Sequence, residues 1–292
     1  MTQLDLRPHP RQVRRLIGDV LAVCQCAQPA AAARWTVTLA GHLPECLKAA
    51  SLSPADRAWL AAGAKFRTPS GAIVSLPGPY SPGAREMYCR NVYLRRGLTM
   101  PSRGWVIDLG ANHGLFSVWA AVSGAQVIAV EAQHGFAAEI HRLAAHNGVS
   151  GRVHVEVGMA GGIATPGSAV GVLADDEVWS GASHAGPTRP AGVSVPELIS
   201  AYRVDRVGLM KVDIEGGEFA VLAAAEDLGW LGRVDQLVLE VHPGHGDVPA
   251  LLDRLRRSGF AMELSDNDGN PVTPECERLA YAYFSRGEAA HA

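Results

Sequence analysis

The chain lacks most of what would mark a protein by composition. Its formal charge is only -3 over 292 residues, and no Lys/Arg run stands out along an expected helix face. A basic field for nucleic acid is therefore missing, and nucleic acid is not an expected partner. No stretch reaches the roughly 18 uninterrupted apolar residues of a membrane span, so no membrane partner is expected either. Cysteine is sparse: Cys24, Cys26, Cys46, Cys89 and Cys276 are an odd, scattered set of five without a CxxC pair of the zinc-binding kind. A reduced, cytoplasmic setting is the expectation, with Cys24 and Cys26 as small apolar residues near a helix end. Internal repeats are absent. What is present is hydrophobic material, 48% against 19% charged, enough for a substantial core.

The segment RQVRRLIGDVLAVCQCAQPAAAA has the basic, apolar and small residues of a secretory signal. Asp19 interrupts it, however, and Val13, Leu16, Ile17, Val20 and Leu21 recur at helical spacing, which predicts an amphipathic helix. Residues 1–65 are expected to form a helical extension, a cap or a surface through which copies of the chain associate. Its last helix starts with Ser53 as N-cap and Pro54 at the first helical position. Residues 66–104 should hold a hairpin around Pro69, Ser70 and Gly71, then a helix ending at Gly97.

From Trp105 to the end, short β-branched runs alternate with helical ones. This predicts an α/β domain over 105–292 with a mostly parallel, doubly wound sheet covered on both faces. FAMELSDNDGNP and RLAYAYFSRG have no helix between them, so the sheet should finish as an antiparallel hairpin. The segment 174–192 has no periodic pattern and reads as a long loop over an acceptor, with Trp179 its one large apolar residue.

The first strand, WVIDLG, runs into a glycine corner at Gly110, Ala111, Asn112, His113 and Gly114. In open α/β sheets such a corner lines the ligand crevice. The second and third glycines of a GxGxxG dinucleotide fingerprint are missing, which weakens a diphosphate reading and disfavours an NAD-type oxidoreductase. Asp108 suits a cationic amino-acid head. Glu131 follows about twenty residues after the corner, the spacing at which a carboxylate accepts the two hydroxyls of a ribose. Acid, corner and second acid together describe an adenosyl amino acid.

A second cluster ends two later strands: Lys211, Asp213 and Glu215 in KVDIEGGE, Glu240 and His242 in LEVHP. Unpaired burial of so many ionisable groups would cost several kcal/mol, so they either form a structural network or face a cleft. In the network alternative Lys211 neutralises Asp213 or Glu240, and Glu218 merely favours a helix N-terminus. A divalent cation on Asp213, Glu240 and His242 is a further alternative. His134, His184 and His245 read as solvated loop residues.

The segments VIDLGANHG, VIAVEA, VGLMKVDIEGGEF and LVLEVHP, in that order, resemble the FkbM family of S-adenosylmethionine-dependent methyltransferases over about residues 105–245. The resemblance implies a seven-stranded methyltransferase fold and methyl transfer, in several members to a hydroxyl oxygen of a sugar or secondary metabolite. The sequence departs from the family in His113, where an apolar residue is usual, and in Ala132-Gln133, where proline often follows the acid. The expected cofactor is S-adenosyl-L-methionine, on Asp108, Gly110, Ala111, Asn112, Gly114, Glu131, Ala132, Met159 and Asp213. The expected catalytic groups are His242 as base, oriented by Glu240 or Asp213, with Asp213 as the other candidate base and Lys211 beside them. No metal is expected, and the acceptor is a small molecule. A catalytically silent cofactor-binding protein is the competing class.

Overall fold

The computed structural model describes residues 10–49, 51–79, 83–160, 192–223 and 228–286. The chain divides into two compact units, 1–91 and 92–292. The expected acceptor loop, Trp179 and His184 included, lies outside the described residues except for Gly192.

In the first unit, helices α1 (Pro10–Cys26), α2 (Pro29–Ala49) and α3 (Ser53–Leu60) precede the antiparallel hairpin of β1 (Ala64–Arg67) and β2 (Ile73–Leu76). Trp35, Trp59, Phe66 and Tyr88 are fully buried and meet in tilted and edge-on contacts, so a few large rings supply the core. Asp56, also fully buried, accepts from Trp35 Nε1 at 2.9 Å and Arg85 Nε at 2.7 Å. Burial pushes its carboxyl up, and the Arg85 charge opposes that shift.

Three sequence expectations are corrected in this region, while the expected amphipathic helix forms as α1, with Ile17 and Leu21 55% and 57% exposed. The buried face carries Asp19, Val23 and Cys26, because Asp19 is drawn into an ion pair with Arg85 at 3.1 Å. Cys26 is joined to Cys89 by a disulfide, so the reading of all cysteines as reduced does not hold. Ser53 is the first residue of α3 and Leu52 its cap. The helix expected up to Gly97 is only a π-helical turn, Arg85–Cys89, since Asn91 and Arg96 adopt left-handed φ of 51° and 55°.

The second unit contains a seven-stranded sheet in the order β10-β11-β9-β8-β3-β4-β5. Its strands are β3 (Trp105–Leu109), β4 (Gln126–Glu131), β5 (Val153–Val157), β8 (Val207–Val212), β9 (Gln236–Glu240), β10 (Ala261–Ser265) and β11 (Tyr281–Ser285). A short parallel pair, β6 (Met159–Ala160) and β7 (Gly192–Val193), lies apart. Helices α4 (Leu115–Ser123), α5 (His134–His146), α6 (Val195–Ala201) and α7 (Val248–Arg257) connect strands or flank them. β11 runs antiparallel to both neighbours, the expected hairpin ending, while the other neighbouring pairs are parallel. The continuous burial of β3, β4 and β8 is what sheet interiors covered on both faces require. The helix expected after DIEGGE is, among the described residues, a π-helical turn, Phe219–Ala223, followed by a 3-10 segment, Gly229–Arg233.

Strand order positions the site. From β3 the chain winds outward through β4 and β5, then returns to place β8 on the other side of β3. The crevice of such a sheet lies beyond the carboxyl ends of the strands at this reversal. Gly110 and Asp213 follow those two ends. Gly110 has φ +79°, and a Cβ there would stand 1.7 Å from the carbonyl oxygen of Asp213. Only glycine permits both the left-handed turn and this approach. Gly110→Ala should therefore destabilise the fold by about 3 kcal/mol or more. Urea unfolding measures this, and an unchanged midpoint would contradict the packing described.

Candidate active site

The site is assembled from the ends of four neighbouring strands. On the β3 and β4 side, the corner repeats left-handed backbone at Gly110, Asn112 (φ 49°) and Gly114 (φ 79°). Both Gly110 and Ala111 donate their amides to the Val130 carbonyl at 3.0 Å, which ties the corner to β4. Glu131, 7% exposed, accepts from the Asn112 amide and from the Gln133 amide, each at 2.8 Å. Burial raises its pKa, and these two amides partly offset the shift. A carboxylate has about four acceptor positions, so two remain for hydroxyl donors. Ala132 and Met159 are half-buried near the ends of β4 and β5. His113 packs edge-on against Phe136 at 4.5 Å and hydrogen-bonds Glu139, so it belongs to the corner and α5.

Asp108 does not present its charge to a crevice. It is fully buried, and its oxygens accept from Lys211 Nζ at 3.1 Å and Ser117 Oγ at 2.6 Å. The cation expected at Asp108 is therefore one the chain supplies. Lys211, 2% exposed, also donates to the Gly110 carbonyl at 3.0 Å and lies 3.5 Å from Asp213. Burial alone lowers its pKa, but Asp108 and then Asp213 outweigh that and push it up to about 12. Lys211 thus stays charged and acts as a structural cation.

Beyond β8 and β9, Tyr93 Oη lies 2.7 Å from Asp213 Oδ2 and 3.0 Å from Glu240 Oε2. Burial, then Asp213 and Glu240, hold the phenol well above its ordinary pKa, so it keeps its proton. One phenolic proton serves one carboxylate. Burial and the adjacent Asp213 push Glu240 up to about 8, so at neutral pH it carries a proton of its own.

His242 is held differently from the expectation. Neither Glu240 nor Asp213 orients it. Glu218, fully buried, accepts from the His242 backbone amide at 2.9 Å and sits 3.0 Å from Nδ1, while Glu215 lies 3.3 Å from Nε2. Glu218 also accepts from the Gly216 amide at 2.8 Å. Burial alone lowers the imidazole pKa, but the hydrogen bond and charge of Glu218, then Glu215 and Asp213, push it up to about 9. Asp213, Glu215 and His242 bring potential ligand atoms within 4.8 Å of one another; Glu240 is not in that group. The two histidines expected to be solvated that lie among the described residues are both exposed: His134 begins α5, and His245 ends the 3-10 turn Pro243–His245 with its ring against Gly216.

Tyr93 and the hydrogen-bonding role of Glu218 were missed from sequence. Tyr93 stands 120 residues from Asp213 in a segment resembling a helix. Glu218 carried the signal of an acid beside two glycines, which is equally the signal of a helix start.

A family model described as the methyltransferase FkbM domain matches residues 108–262, just over half of the chain. The chain belongs to the FkbM methyltransferase family. Its cofactor is accordingly S-adenosylmethionine and its chemistry methyl transfer, and the corner and Glu131 have the hydrogen-bonding capacity such a ligand needs. Over 231 residues the chain is 28% identical to the 31-O-demethyl-FK506 methyltransferase FkbM of Streptomyces tacrolimicus, covering 68% of this chain and 88% of that protein. It is also 28% identical over 224 residues to the AMB antimetabolite synthetase AmbE of Pseudomonas aeruginosa. That match takes in 62% of this chain but only 10% of the synthetase. Among solved structures, M. capricolum TrmK with S-adenosyl-homocysteine overlaps 63% of this chain and 62% of its own, at 6% identity and a TM-score of 0.38. At that score the likeness carries no functional weight.

The His242 geometry fixes a pH dependence in this FkbM-family chain. Its folded pKa, about 9, lies above the ordinary 6.5. The associated stabilisation is complete below pH 6.5 and is lost as pH rises through 9. An NMR titration of the His242 ring with EDTA present should give a midpoint near 9, and Glu218→Gln should lower it toward 6.5. A wild-type midpoint of 6.5 would contradict the Glu218 contact.

Proposed function

We propose that the protein methylates a hydroxyl oxygen of a small molecule, with the strand-end group of Asp213, Glu240, Tyr93 and His242 facing the acceptor. The observation that carries this is the pairing of a proton-accepting cluster beyond β8 and β9 with the glycine corner beyond β3, whose backbones meet at Gly110 and Asp213. The FkbM relative of Streptomyces tacrolimicus, named for methylating a demethylated oxygen, supports the choice of oxygen.

Glu131 holds the ribose hydroxyls, and the Gly110–Gly114 corner and Ala132 lie against the rest of the cofactor. Met159, beyond β5, is assigned to the adenine side. When bound, S-adenosylmethionine supplies a methyl on a sulfonium, whose S–C bond breaks as the acceptor oxygen's electron pair forms the new C–O bond. Asp213 takes the hydroxyl proton. Its carboxylate side chain is 21% exposed, whereas His242 and Glu240 each carry a proton at neutral pH. His242, the favoured base from sequence, is thereby replaced by Asp213. Lys211 and Asp108 position the two strand ends and do not meet substrate.

Orientation supplies most of the acceleration in such a displacement, and a general base typically adds only about 10²- to 10⁴-fold. Asp213→Asn should reduce turnover by roughly that factor while S-adenosylmethionine affinity changes by about twofold or less. The test is mass spectrometry of trideuteromethyl transfer from labelled S-adenosylmethionine to hydroxylated small molecules, such as polyketides and sugars. Label on oxygen, lost in Asp213→Asn, is the expected result. Label on nitrogen or carbon, or full turnover in the variant, would overturn the proposal.

A further inference from the structure

We propose that Asp213, Glu215 and His242 form a binding site for a divalent first-row metal cation of the manganese kind. The sequence suggested an ion only as an alternative, with Glu240 as the third ligand; the fold substitutes Glu215. Each of the three offers a ligand atom, and all three atoms lie within 4.8 Å of one another. Two carboxylates and one imidazole suit a divalent first-row ion such as manganese, since magnesium and calcium take oxygen ligands alone and the softest ions select thiolate.

A second observation independently points to a ligand at His242 Nε2. Imidazoles that bind metals almost always donate their other ring N–H to a carboxylate, a backbone carbonyl or water, which fixes the tautomer and the ring orientation. Here Glu218, fully buried, lies 3.0 Å from Nδ1 and also receives the His242 backbone amide. A buried carboxylate held at both points fixes the ring in one orientation. The ring's Nε2 then faces Glu215, whose backbone takes a left-handed φ of 51° in the turn before Gly216.

Charge also favours a cation. The contacts named above join Asp108, Asp213, Glu215 and Glu218 to two cationic side chains, Lys211 and His242. Lys211 is shared between Asp108 and Asp213. An added dication would offset the remaining negative charge, and the imidazolium would give up its Nε2 proton to solvent on coordination. The inference rests on the proposed acceptor site, because a hydroxyl in an open position on such an ion would be acidified beside Asp213.

The test is Mn²⁺ titration of the full chain, followed by the loss of the free-ion EPR signal, which does not depend on the acceptor. One saturable site with Kd on the order of 1 mM or tighter is expected. Glu215→Gln, on an exposed side chain that should not disturb folding, and Glu218→Gln should each weaken it roughly 10- to 100-fold. His242→Ala should abolish it. No saturable binding, or equal binding in wild type and Glu215→Gln, would overturn the site even if methyl transfer to oxygen is found. Binding lost in Glu215→Gln would sustain it even if the acceptor atom proves to be nitrogen.

Discussion

The ammonium of Lys211 is the interaction on which the active end of the sheet depends. It is buried between β3 and β8, where it meets Asp108, the Gly110 carbonyl and Asp213. A buried ion pair of this kind contributes little net stability compared with apolar packing, but removing one partner leaves an uncompensated charge at a cost of about 3 to 5 kcal/mol. Its value is geometric. It fixes the glycine corner against the end of β8 at a separation where a single Cβ on Gly110 would collide.

From that junction two chemically different edges spread in opposite directions. Toward β4 lie backbone amides and Glu131, an acceptor with lone pairs to spare. Toward β9 lie carboxylates whose charge is managed by Tyr93, Glu218 and His242. Under the proposed function, a strand reversal that separates an acceptor with free lone pairs from a cluster of carboxylates, a phenol and an imidazole suits methyl transfer, since donor and acceptor must approach from separate directions along one line. The FkbM domain match spans both edges.

Much of the second unit was legible in the sequence because its strands bury both faces and so read as unbroken apolar runs, while the helices between them keep their own period. The antiparallel ending followed from two strand patterns with no helix between. Acidic positions at strand ends were also visible, since carboxylates inside apolar runs have to be paired or exposed at an edge. What the sequence concealed was pairing across long separations. Asp108 seemed available for a ligand because nothing local showed that Lys211, 103 residues on, would take its charge. Tyr93 had no local signal, and His242 seemed to belong to Glu240, its neighbour on the strand. The first unit was least legible: Asp19 and Cys26 of α1 have long-range partners, Arg85 and Cys89, that periodicity does not register.

Isothermal titration calorimetry with S-adenosylmethionine, on wild type and Glu131→Ala, tests the central claim most directly. Charge-assisted hydrogen bonds from two ribose hydroxyls are worth about 1.5 to 3 kcal/mol each. Saturable binding by the wild type, weakened in Glu131→Ala by roughly 100-fold or more, is the result the account predicts. No binding by the wild type, or equal affinity in the variant, would contradict it.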